Sequence, residues 1–132
     1  MEVLRLENVS KKYGELLAVK DLSFSVEEGE LFVILGPSGA GKTTTLKMIS
    51  GIEEVTKGEI YIKGKLVNSL EPKDRKVSMV FEDYALYPHL SVYKNISSPL
   101  EAQGLPQEEI EKKVLEIARL LQIDGLLSRP PA

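Results

Sequence analysis

Lys42 is the residue in this chain best placed to do chemistry, because so few side chains surround it. Residues 34–45 read ILGPSGAGKTTT, so that Gly36, Gly39 and Gly41 precede the lysine and Thr43, Thr44 and Thr45 follow it. Glycine lets the backbone curl through left-handed conformations and lets a ligand approach the main chain. Successive N–H groups that curl inward form a concavity suited to an anion. A helix starting at the end of the run adds its unpaired N–H groups and the positive end of its dipole. Lys42 adds a full charge for terminal phosphates, and the Thr43 hydroxyl suits an Mg²⁺ that bridges them. Residues 36–43 fit G-x-x-x-x-G-K-[ST] in order, and we read the run as a cradle for a polyphosphate.

The same letters also arise as a plain turn between a strand and a helix, so the flanking elements matter. Before the loop, LFVIL at residues 31–35 is wholly apolar, the pattern of a strand covered on both faces. After it, KTTTLKMIS places Leu46 and Ile49 at helical spacing, and Gly51 is positioned to end the helix. Upstream, residues 3–9 alternate as a strand, and LLAVKDLSFSVEE spaces Val19, Leu22, Phe24 and Val26 close to period two. Downstream, GEIYIKGKLV predicts two short strands turning at Gly64, and residues 76–81 predict another strand. The chain then changes character. Ser91 suits the N-cap of a short helix. LPQEEIEKKVLEIARLLQI predicts a longer one, with Glu108 and Glu109 at its positive end and Ile110, Val114, Ile117, Ala118 and Leu121 as its apolar stripe. We divide the chain into a β-rich nucleotide-binding core at 1–86 and the first part of a helical subdomain at 87–132.

Composition narrows the partners. The chain has 132 residues, enough for one core, with a net charge of −3 that favours no general nucleic-acid partner. It has no cysteine and a single histidine, His89, which excludes disulfides and speaks against a histidine metal site. No apolar run approaches the ~20 residues of a membrane span, and MEVLRLENVS lacks a leader core. The expected location is cytoplasmic.

Taken together, the motifs resemble the ATP-binding subunits of ABC transporters, most closely the subclass that energises import of sugars and oligosaccharides. KKYGELLAVKDLSFSVEEGELFVILGPSGAGKTTTLKMISGIE is similar to that family's opening, VSMVFEDYALYPHLSVYKNISSPL to the stretch after its middle strand, and GLPQEEIEKKVLEIARLLQIDGLLSRPP to the start of its helical subdomain. The resemblance implies an α/β fold: the N-terminal portion of an ABC-type P-loop NTPase, with an antiparallel β subdomain, part of a RecA-like parallel sheet and the beginning of a helical subdomain. It implies ATP and Mg²⁺ as cofactors. Tyr13 would stack on the adenine, Val19 would add an apolar contact to it, and Ser38, Gly39, Ala40, Gly41, Lys42, Thr43 and Thr44 would hold the phosphates. Thr43 and Glu82 would ligate the metal, with Lys42 and Glu82 as the catalytic residues. Tyr13 also reads as an ordinary strand-end tyrosine.

The run YALYPHLSVYKNI is the part most specific to the subclass. Residues 84–90 would receive a helix of a membrane-embedded subunit; the same loop also suits a local plug built from Leu86 and Leu90. The family further implies a homodimer, peripheral to the inner face of the membrane. Two departures stand out. The family has glutamine where this chain has Glu82; a carboxylate binds Mg²⁺ more strongly but, ionised, donates no hydrogen bond. Beyond LLSRPPA the family continues into its signature motif, a second acidic strand, a catalytic glutamate and a switch histidine, and none of these occurs in the 132 residues. The expectation is nucleotide binding with little hydrolysis by this chain alone, from a truncated product or a fragment. The competing readings are a non-hydrolysing nucleotide-binding module and a non-transport ABC-type ATPase.

Overall fold

The computed structural model describes residues 1–39 and 41–132, which form two compact units, Met1–Met79 and Val80–Ala132. The first unit is built on four strands. β1 (Glu2–Tyr13) pairs on one side with β2 (Leu16–Glu27) and on the other with β3 (Lys57–Ile62), and β4 (Lys65–Leu66) extends β3. All three pairings are antiparallel, and Gly64 turns the short β3–β4 hairpin with φ 75°.

β1 does not keep strict alternation. Period two from Leu6 would send Asn8 inward and Val9 outward. A bulge between Leu6 and Val9, with Asn8 at φ 48°, resets the register so that both apolar side chains are buried. Opposite the bulge, Gly58 (φ 95°) lies so close to the Asn8 carbonyl that no side chain fits there. Leu6, Val9, Val19, Met48, Ile60 and Val67 close one core, which joins the sheet to the helix α1 (Lys42–Ser50). α1 ends as expected at Gly51, which takes φ 89° and returns its N–H to the Met48 carbonyl.

Two expected strands do not form ladders. Residues 31–35 and 76–81 pair with none of the described strands, and the described sheet is the antiparallel part of the expected architecture. Leu31 and Leu35 are 90% and 87% exposed, and Val80 is 83% exposed. The difference is one of pairing: a buried strand needs partners for its backbone N–H and C=O groups, and neither run joins the open edges of β2 and β4. Within the run, Phe32 finds a partner by stacking on Phe24, ring centroids 4.7 Å apart.

The second unit pairs α2 (Val92–Ala102) with α3 (Gln107–Leu120). The Ser91 hydroxyl caps α2 by accepting the Lys94 N–H at 3.1 Å. The first N–H groups of α2 are met from the tail: Val92 donates to the Arg129 carbonyl and Tyr93 to that of Leu127. α3 carries Glu108 and Glu109 in its first turn and buries Ile110, Val114 and Ala118. The expected apolar stripe is narrower than its sequence spacing implied, because Ile117 and Leu121 are 39% and 59% exposed.

Candidate nucleotide-phosphate site

The glycine loop runs directly into α1, and its local geometry follows from its residues. Gly39 and Gly41 take φ 81° and 88°, a region costly to any residue with a Cβ. At Gly41 space also forbids one: a Cβ would sit 2.5 Å from the Ala18 carbonyl oxygen and 2.9 Å from Cγ2 of Val19. Gly41 therefore lets the start of α1 press against β2. As N-cap of α1 it offers no side chain, and the first turn contains no acidic residue. The N–H groups at that end stay free of side-chain acceptors, and the positive end of the helix dipole is not offset. Those features fit a phosphate group.

Lys42 folds back over the loop. Its ammonium donates to the Gly36 carbonyl and, at 3.0 Å, to that of Pro37. The three threonines divide by burial. Thr45 is buried and its hydroxyl donates to the Gly41 carbonyl at 2.8 Å, so it serves the helix itself. Thr43 is exposed and Thr44 half-buried, on the first turn. A cavity of about 240 Å³ lies beside this turn, lined by Val19, Leu22, Ile34, Gly41, Lys42 and Thr45 among others.

The other expected residues are placed as follows. Ser38 and Gly39 are exposed in the loop, and Ala40 lies outside the described residues. Val19, expected against an adenine, is 8% exposed and belongs to the core. Tyr13 ends β1, is 42% exposed, and carries the Lys11 ammonium 5.0 Å above its ring; it does not line the cavity. Glu82 lies in the other unit, exposed in a turn. Among the described residues no group of three or more His, Asp or Glu side chains is gathered for a metal. Thr43 carries the exposed side-chain hydroxyl of the first turn of α1.

In the second unit, residues 84–90 form an exposed, strained loop. Tyr84 and Ala85 take φ 62° and 51°, and the side chains of Tyr84, Leu86 and Tyr87 are 72%, 52% and 51% exposed. Asn95 holds the loop from α2. Its amide oxygen accepts the Tyr87 N–H at 2.8 Å, and its NH₂ donates to the Tyr87 carbonyl at 3.1 Å and the Ser91 carbonyl at 2.9 Å. The sequence reading missed Asn95, and it missed the carbonyls of Gly36 and Pro37 as the resting partners of Lys42. The four-residue step from Ser91 to Asn95 was the available signal for the first.

A glycine loop that opens onto an uncapped helix, beside a bulged antiparallel sheet, defines the N-terminal portion of a P-loop ATP-binding cassette. The chain belongs to the ABC transporter family, whose profile matches residues 19–132. It is 50% identical to the trehalose/maltose import ATP-binding protein MalK of Thermococcus litoralis, over 99% of this chain and 37% of that protein. It is 46% identical to the oligosaccharides import ATP-binding protein MsmX of Bacillus subtilis, over 99% of this chain and 36% of that protein. A solved ATP-binding cassette, dimeric in a post-hydrolysis state with ADP and Pi bound, superposes with TM-score 0.85 at 32% identity, over 97% of this chain and 61% of that one. The chain thus spans little more than a third of the length of these curated relatives.

Proposed function

We propose that this chain is the phosphate-binding part of an ATPase subunit that energises solute import. The loop at residues 36–44 binds MgATP: Gly39 and Gly41 open the backbone, Lys42 swings from the Gly36 and Pro37 carbonyls to the terminal phosphates, and the Thr43 hydroxyl joins the Mg²⁺ shell. Bound Mg²⁺ supplies charge neutralisation for the phosphates. The observation that carries this reading is the uncapped, acid-free N-terminus of α1 with Lys42 as its first residue. Tyr13 supplies a face for the base, and Glu82 is the further metal ligand and catalytic residue of the same reading. Hydrolysis needs positioned water, metal and charge neutralisation together, and with these residues alone turnover is small.

The relatives name trehalose/maltose, oligosaccharides and sn-glycerol-3-phosphate as imported solutes, with spermidine/putrescine in a further one. Sugars and their oligosaccharides are the solute class we infer. Among the described residues no helix is long and apolar enough to cross a membrane. In our reading the solute path is formed by membrane-embedded partner subunits, which dock on the exposed aromatic loop at residues 84–90. A second copy of the protein completes the working unit, in keeping with the dimeric solved cassette. Calorimetric titration of MgATP into the chain, with Lys42→Ala as control, tests the reading. Saturable binding abolished by Lys42→Ala is expected; a folded wild-type chain that binds no MgATP would overturn it.

A further inference from the structure

Arg75 is only 6% exposed, yet it has no carboxylate within ion-pair distance among the described residues. Its guanidinium is met entirely by backbone carbonyls. One NH₂ group donates to Met48 at 2.8 Å and Ile49 at 3.2 Å, Nε donates to Leu70 at 2.9 Å, and the other NH₂ group donates to Asn68 at 3.4 Å. Met48 and Ile49 lie in the last turn of α1, whose carbonyls have no partners within the helix. The Asn68 side chain in turn accepts the Ile60 N–H at 2.8 Å and donates to the Gly58 carbonyl at 2.9 Å. The guanidinium thus ties the end of α1 to the loop after β4, and Asn68 ties that loop to β3.

The slot for this group is made by Gly51. A Cβ there would lie 2.7 Å from Nε and 2.9 Å from Cζ of Arg75, so the residue that ends α1 also admits the guanidinium. Such an arrangement is costly for stability alone. Burial disfavours the charged form and pulls the guanidinium below its ordinary pKa, and well-packed apolar side chains hold a core more cheaply than a buried charge. What an apolar residue cannot do is fix rotation and axial position at once. A rigid fork with several directed donors does both, and a cation there also suits the negative end of the helix dipole.

At its other end, about 13 Å away for nine residues, α1 starts with Lys42 and Thr43. We propose that Arg75 is a positioning residue for phosphate binding: it sets the rotation and axial placement of α1, and through α1 the placement of the Lys42 ammonium and the Thr43 hydroxyl. The role rests on the reading of the loop as an MgATP site. A purely structural arginine would lower stability when replaced and leave the affinity of the folded protein alone.

The test is calorimetric MgATP affinity in the full chain, measured well below each melting temperature, for Arg75→Met, Arg75→Lys and Val67→Ala. Val67 lies in the same core, 2% exposed, and supplies a variant destabilised without removing any of the carbonyls that accept from the fork. The expected result is a loss of about tenfold or more in affinity for both Arg75 variants, a factor worth 1.4 kcal/mol, with Val67→Ala less stable but binding as wild type. Arg75→Lys retains the charge and loses the fork, and it decides the matter if Arg75→Met does not fold. Folded Arg75 variants binding within about twofold of wild type, the scatter of independent substitutions, overturn the role, as does an equal loss in Val67→Ala. If wild type and Lys42→Ala bind alike, the loop reading itself has failed and the role of Arg75 falls with it.

Discussion

β1 and the run at residues 31–35 are both rich in large apolar side chains, and both lie in the Met1–Met79 unit. β1 buries Leu6 and Val9 almost completely, at 1% and 0% exposure. In the other run Leu31, Val33 and Leu35 stay exposed, and Phe32 gains only its stack on Phe24. Hydropathy alone would bury the wholly apolar run ahead of the mixed β1; backbone pairing reverses that order. β1 has β2 and β3 on its two sides, joined to it by a hairpin and by a connection that carries α1. An apolar strand that cannot satisfy its N–H and C=O groups gains little by entering a core, because unpaired backbone groups cost free energy comparable to the hydrophobic gain. Apolar composition makes a segment eligible for burial, and ladder partners decide whether burial happens.

Core truncation is the strongest way to break this comparison. Leu6→Ala removes a side chain packed on all sides, and a loss of about 2–5 kcal/mol is expected in urea unfolding. A cost under about 1 kcal/mol would mean that the sheet is not the stabilising part of its unit. The same measurement on Leu35→Ser should shift stability by no more than about 0.5 kcal/mol, the usual range for an exposed position. Binding of a hydrophobic dye should fall in Leu35→Ser, since exposed apolar surface is what the dye reads. A destabilisation of Leu35→Ser equal to that of Leu6→Ala would show that residues 31–35 pack in solution.

The contrast also explains what was legible from the sequence. Features set by local chemistry could be read directly: Gly51 as the end of α1, Ser91 as the cap of α2, Gly64 as a turn, and the acids at the start of α3. The left-handed turns at Gly39 and Gly41 belong with them, because the residues are contiguous and glycine's freedom is intrinsic. Features set by distant backbone groups could not be read. The bulge at Asn8 depends on Gly58 some fifty positions on. Arg75 finds acceptors that are main-chain carbonyls, which any residue carries, so no pattern announces them. Val19 shows the same limit within the site. Its alternation was correct, but the close approach of Gly41 makes it part of the core beneath α1. A strand expectation for residues 31–35 rested on hydropathy, which is silent on who supplies the ladder.

The smallest expected effect lies in the second unit, where stability has an electrostatic component on the surface. Glu101 on α2 accepts from the Lys94 ammonium at 3.0 Å and from the Ser97 hydroxyl at 2.9 Å. The Lys94 hydrogen bond, followed by that of Ser97, holds the Glu101 carboxyl below its ordinary pKa. A depressed folded-state pKa means that the unfolded chain binds the proton more readily. The contribution is therefore fully present above the unfolded carboxylate pKa and is lost as pH falls through the folded value. Glu101→Gln should lower the urea midpoint slightly near neutrality, and the gap to wild type should close in acid. Ser97 is fully buried beside this carboxylate while Lys94 is exposed, so salt should weaken the ammonium contact and spare the hydroxyl. A gap that persists unchanged into acid would assign the effect of the substitution to packing around Ser97 and remove charge from the account of α2.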